Sequence, residues 1–157
     1  MFRFLRIAFP SFVVGVAVGA VGWYLTGPLF FDTVVSEELA QAEVSATGTF
    51  VDADSAHRGS GTVSVVTRAD GITELQFTDF EVTNGPDLEV WLTAHPDPRS
   101  SADVKGADWL SLGQLKGNVG NQAYTVPAGT DLSAYPAVVI WCEQFGVLFS
   151  PAVLRGS

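Results

Sequence analysis

Thr62-Val63-Ser64-Val65-Val66-Thr67-Arg68-Ala69-Asp70-Gly71-Ile72-Thr73-Glu74-Leu75-Gln76-Phe77 is the stretch that decides the fold. β-Branched and apolar residues alternate with polar ones on both sides of Arg68–Gly71, and Asp-Gly between two such runs is a hairpin signal. Further short strands are expected at Gly48 to Val51, Asp79 to Val82, Leu88 to Thr93, Ala123 to Val126, Ala137 to Cys142 and Phe145 to Leu154. Turn-forming clusters separate them: Asn84-Gly85-Pro86, His95-Pro96-Asp97-Pro98 and Pro127-Ala128-Gly129. No long amphipathic helical pattern interrupts this spacing. Residues 46–157 therefore read as all-β, a small β-sandwich or barrel-like domain.

Upstream of that domain the pattern changes. From Ile7 to Phe31 there is no charged residue over 25 positions, enough helix for about 37 Å at the usual rise. A bilayer core is about 30 Å thick, so one transmembrane helix is expected, and residues 1–31 read as an N-terminal signal anchor. Gly27-Pro28 would end the helix, and Trp23 and Tyr24 sit where an interfacial aromatic belt belongs. The competitor is a cleaved signal peptide, whose apolar core is shorter, about 7 to 15 residues. Ala40-Gln41-Ala42 has the form of a cleavage site, yet it lies beyond the apolar run, behind Asp32, Glu37 and Glu38. Length favours the uncleaved anchor. Gly15 and Gly19 form a GxxxG pair of the kind that packs helices, although glycine is common in membrane helices generally. Residues 32–45 read as an acidic stem or linker, with helix an option over Ser36 to Ala42.

Charge divides along the same line. All 17 acidic residues lie at or after Asp32, whereas Arg3 and Arg6, two of the eight basic ones, precede the span. The positive-inside bias places the N-terminus in the cytoplasm and the C-terminal domain outside it, a single-pass membrane protein. So acidic a surface excludes nucleic acid, whose phosphates need a basic footprint.

Several chemistries drop out on motif grounds. Gly59-Ser60-Gly61 lacks the spacing of a nucleophile elbow, and neither a phosphate-binding loop nor a dinucleotide fingerprint is present. One cysteine excludes an internal disulfide and covalent c-type haem. His57 and His95 stand apart without zinc-ligand spacing, so no metal ligands are assigned. Asp79 with Glu81, Asp87 with Glu89, and Asp52 and Asp54 with His57 are carboxylate groupings for a hard cation, but no EF-hand-like loop supports one.

Cys142 is the remaining candidate. It ends Ala137-Val138-Val139-Ile140-Trp141-Cys142, where alternation turns Val138, Ile140 and Cys142 to one face and Val139 and Trp141 to the other. An unpaired cysteine in an apolar strand ordinarily behaves as a small buried hydrophobe. Outside the cytoplasm it is otherwise a reactive thiol, half of an intermolecular disulfide, or a ligand to a metal or haem iron with His57 opposite. Glu143 beside it raises the thiol pKa through like-charge repulsion. Trp91 and Trp109 read as packing aromatics.

The outer domain resembles the DM-thirteen family, which accompanies DOMON domains in Skeletor-like animal proteins and occurs as a membrane-tethered single domain in bacteria. The resemblance rests on Gly48-Thr49-Phe50, His57 with Ser60-Gly61-Thr62-Val63, Leu75-x-Phe77-x-x-Phe80 and Asn84-Gly85-Pro86-Asp87-Leu88-x-Val90-x-Leu92. It continues through Leu112-Gly113-x-Leu115-Lys116-Gly117, Gly120-Asn121-Gln122-x-Tyr124-x-Val126-Pro127, Val138-Val139-Ile140-Trp141-Cys142 and Phe145-x-Val147-x-Phe149-x-x-Ala152-x-Leu154. It implies an all-β domain with an electron-transfer role centred on Cys142, as a free thiol or as the ligand of a haem. The partners are then the membrane and a redox or protein partner outside the cytoplasm, and the chain is an electron-transfer or binding domain rather than an enzyme with its own substrate. The alternative is a non-catalytic cell-surface interaction module in which Cys142 is buried core.

Overall fold

The computed structural model describes Pro10, residues 12–22 and residues 31–156. It falls into two units, Met1–Phe31 and Asp32–Ser157. In the first, residues 12–22 are helical, with Phe12, Val14 and Val18 among its exposed side chains. No helix among the described residues is long and apolar enough to cross a membrane. The expected span from Ile7 to Phe31 also covers positions 7–9, 11 and 23–30, which lie outside the described residues, as do Arg3 and Arg6.

The second unit is a two-sheet β-sandwich of ten strands: β1 Val34–Ser36, β2 Glu43–Thr49, β3 Gly59–Thr67, β4 Thr73–Val82, β5 Leu88–Thr93, β6 Trp109–Gln114, β7 Val119–Thr125, β8 Ala137–Cys142, β9 Val147–Val153 and β10 Arg155–Gly156. One sheet runs β1-β7-β4-β3-β2-β10, the other β6-β5-β8-β9. Every pairing is antiparallel except β1 with β7. One helical turn, Ser101–Lys105, precedes β6 and carries a capping box between Ser100 and Asp103.

The deciding stretch forms the β3–β4 hairpin, with Val63 opposite Phe77 and Val65 opposite Leu75. Its turn closes through the Gly71 N–H to the Arg68 carbonyl at 2.9 Å, and Gly71 takes φ +83°. This left-handed position is why glycine follows Asp70. Phe77 and Phe80 belong to one continuous strand rather than two, because a β-bulge carries β4 through Asp79. At that bulge Gly61 has φ +101°, and a Cβ there would stand 2.6 Å from the Asp79 carbonyl oxygen. Gly61→Ala is expected to destabilise the domain by roughly 1–3 kcal/mol. Urea unfolding checks this as a lower midpoint at unchanged slope.

Between the sheets lie Val63, Val65, Leu75, Phe77, Phe80, Val90, Leu92, Val138, Ile140, Cys142 and Phe149. Strand β8, paired on both sides, is buried at all six positions, which explains its unbroken apolar run. Its Val139 and Trp141 join a second cluster with Trp91, Val104 and Leu148 on the sheet's other face. Pro151 is tolerated in β9 because that strand is the sheet edge.

Residues 32–45 differ from a helix-bearing stem. Val34–Ser36 is strand, residues 37–42 carry no helix, and Glu43 begins β2. The reason is tertiary: Glu37 accepts from Lys116 Nζ at 2.7 Å and from the Ala123 N–H at 2.8 Å, and Gln76 donates to the Ala40 carbonyl at 3.1 Å. Contacts of this kind override local helix propensity.

Candidate functional site

Cys142 closes β8, directly before the exposed turn residues Glu143, Gln144 and Phe145. Alternation directs its side chain between the sheets, where it is 0% exposed. Its neighbours in register are Leu88 on β5 and Val147 on β9. The thiol donates to the Pro86 carbonyl at 3.1 Å, a bond made by the protonated form. Burial pushes the thiol pKa up and the carboxylates of Asp87 and Glu143 add to the rise, against backbone N–H groups of Phe145 and Gln144 that favour the thiolate. The balance is a protonated, quiet sulfur.

The residues around Cys142 do not fit a haem. The sulfur is engaged by a backbone carbonyl and packed among core side chains, whereas axial ligation needs a deprotonated sulfur facing a space the size of the macrocycle. A surface concavity of about 540 Å³ is lined by residues such as Thr47, Thr62, Pro96 and Arg155 and does not include Cys142.

His57 is held within its own loop and against Phe149. Its Nδ1 lies 2.8 Å from Asp54 Oδ2, and its ring packs on Phe149 with centroids 4.4 Å apart. Asp54 also accepts the backbone N–H groups of Ala56 and His57 at 2.8 Å each. The His57 side-chain bond first, then these two N–H groups, lower the Asp54 pKa from 3.8 to about 2. A depressed carboxylate stabilises above its ordinary value and loses that contribution as pH falls through the folded one. The 52–59 loop is therefore expected to keep its clamp below pH 3.8 and release it at about 2. An NMR titration of the Ala56 and His57 amides checks this, and a midpoint at 3.8 overturns it.

Several carboxylates of these groupings serve other bonds or sit at left-handed backbone positions. Asp79 sits in the bulge at φ +49°, Asp87 in the turn before β5 at φ +52°. Asp52 accepts the Gly59 N–H, and Glu89 faces Trp91 and Ser111. Among the described residues no group of three or more His, Cys, Asp and Glu side chains is placed to hold a metal ion. His95 accepts the Asp97 N–H, 3.2 Å away, within its own turn.

Sequence reasoning missed an aromatic array on the outer face of the four-stranded sheet. Trp91 stacks on Trp109 with centroids 3.9 Å apart and planes 9° from parallel, and on Trp141 at 5.2 Å and 29°. Trp91 Nε1 donates to Glu89 Oε2 at 2.7 Å, and Ser111 Oγ donates to the same oxygen at 2.6 Å. The signal was cross-strand rather than local: Trp91 lies opposite Ser111 on β6 and Val139 on β8, so Trp109 and Trp141 are its diagonal neighbours.

Among solved structures, one variant of Candida albicans superoxide dismutase 5 is similar with a TM-score of 0.50 and 15% identity, covering 73% of this chain and 92% of that one. A second variant gives 0.48 and 12%, covering 74% and 94%. The first likeness is one of fold, a two-sheet sandwich, and carries none of that enzyme's chemistry. No curated protein matches the chain closely enough to count as a relative. The family model described as "Electron transfer DM13" matches residues 49–154, from the end of β2 to the last core positions after β9. With well over half its length matched, the chain belongs to the electron-transfer DM13 family.

Proposed function

We propose that this protein is an electron-transfer domain displayed outside the cytoplasm and tethered by its N-terminal segment. The observation that carries the reading is the family match over residues 49–154, which spans the core of the sandwich. The uncharged run from Ile7 to Phe31, with Arg3 and Arg6 before it and every acidic residue after it, supports the tether and its orientation. In the cysteine-centred form of this reading, Cys142, the one cysteine of the sequence, is the redox group. A lone thiol has no stable two-electron product without a second molecule, so this form requires a partner thiol or a one-electron step.

Complete burial of Cys142 and its bond to Pro86 favour a second reading, a surface interaction module in which the sulfur is core. Potentiometric titration of the full chain in detergent separates the two. A reversible couple that Cys142→Ala abolishes supports the cysteine-centred form. A couple unchanged in Cys142→Ala keeps the electron-transfer reading and moves it off the sulfur. No couple at all ends that reading and leaves the interaction module.

A further inference from the structure

We infer that Trp109 and Trp91, backed by Trp141, form a one-electron relay on the outer face of the β6-β5-β8 sheet, entered at Trp109, with Trp91 holding the charge and Glu89 receiving its proton. This rests on the electron-transfer reading and assigns it residues that the family resemblance did not. The three rings grade from surface to interior: Trp109 is 49% exposed, Trp91 6% and Trp141 3%. Their stacking is continuous, and the near-parallel Trp91–Trp109 pair at 3.9 Å overlaps two π systems so that a hole spreads over both. Core packing alone does not call for this arrangement, since half of the outermost ring remains in water.

Charge placement fixes where the hole rests. The Glu89 carboxylate touches Trp91 Nε1, stabilising a positive ring there. The Lys105 ammonium stands 5.8 Å over the Trp141 ring and opposes one at that end. Coulomb interaction therefore stops the hole at Trp91, and Trp141 serves as the inner wall of the stack.

A one-electron metal-complex oxidant at the surface takes one electron from the Trp109 indole and is itself reduced by one. The Trp109 radical cation takes an electron from Trp91 and returns to neutral indole. The Trp91 radical cation releases its Nε1 proton to the Glu89 Oε2 it already bonds, leaving a neutral Trp91 radical and a protonated Glu89. A one-electron donor reverses the sequence, the proton passing back to Nε1. No bond other than N–H and O–H changes.

The test uses the full chain carrying Trp23→Phe, with tris(bipyridine)ruthenium(III) generated by flash-quench as the oxidant and transient absorption as the readout. The expected product is the neutral tryptophan radical. Trp109→Phe is expected to abolish it, because the inner rings are shielded. Glu89→Gln is expected to give the radical cation instead, and this variant leaves every ring in place. Cys142→Ala is expected to change neither yield nor species. An unchanged neutral radical in Trp109→Phe or in Glu89→Gln overturns the relay, as does its loss in Cys142→Ala, which would make the sulfur the source of the electron. The flash experiment supplies its own oxidant, so its failure is distinguishable from a failed potentiometric titration, which bears on the electron-transfer reading itself.

Discussion

A maleimide or disulfide reagent added to the native protein is expected to label Cys142 at least roughly a thousand-fold more slowly than the chain unfolded in urea. Three features of the site act in the same direction. The sulfur is 0% exposed, so attack waits for an opening event. The side chain points between the sheets, so fraying the 143–146 turn alone does not reach it: β8 stays paired to β5 through Leu88 and to β9 through Val147. The thiolate, the species that reacts, is depleted by a pKa raised through burial and through Asp87 and Glu143. Global stability of small domains is at least about 5 kcal/mol, and tenfold in population corresponds to about 1.4 kcal/mol, which sets the lower bound on protection. Native labelling within tenfold of the unfolded rate would show a thiol available to a partner and remove the buried-core reading.

The direction of Cys142 was legible in the sequence because a strand has a period of two. Val138, Ile140 and Cys142 share the inter-sheet core and Val139 and Trp141 share the opposite cluster, as alternation requires. The β3–β4 hairpin was legible for a related reason: Asp70-Gly71 is local turn chemistry flanked by alternating runs, and no distant residue is needed to interpret it. Elements defined by distant partners were not. Strand β1 is three residues long and exists through parallel pairing with β7, 85 positions away in the case of Val34 and Val119. The continuity of β4 depends on a bulge that matches Gly61 against Asp79, two residues in different runs.

The same distinction separates the parts of the site. Like-charge pressure on Cys142 from Glu143 is a neighbour effect and was readable, whereas that from Asp87 follows from the turn that also supplies the Pro86 carbonyl. The pairing of His57 with Asp54 is local, three residues apart, and it engages the Nδ1 nitrogen. The tryptophan array was unreadable because its three members come from β5, β6 and β8, and only the register Trp91–Ser111 and Trp91–Val139 makes them neighbours. Strand β6 itself carries a glycine at φ +102° and weak alternation, which hid the strand on which Trp109 stands.

Phe77→Ala is expected to cost about 4 kcal/mol, while Phe145→Ala stays within about 0.5 kcal/mol of the parent. The two phenylalanines have equal claims in the sequence, each placed in an expected strand. Phe77 is fully buried and sits at the centre of an aromatic cluster, 4.9 Å from Phe50, 5.0 Å from Phe80 and 5.2 Å from Tyr124 by ring centroid. Truncation removes its transfer free energy, leaves a void bounded by rings, and forfeits edge and tilted contacts worth about 0.5–1.5 kcal/mol each. Partial collapse is restrained because Tyr124 is anchored, its hydroxyl donating to Gln122 at 2.6 Å and accepting from the Lys116 N–H at 2.9 Å. Phe145 instead precedes β9 in the exposed turn after Cys142, with 64% of its surface in water, so deleting its ring opens no cavity. For a domain of this size 4 kcal/mol corresponds to a fall in Tm of roughly 10–20 °C. Calorimetry of the two variants beside the parent measures the contrast, and similar losses at both positions would contradict the packing described for the inter-sheet core.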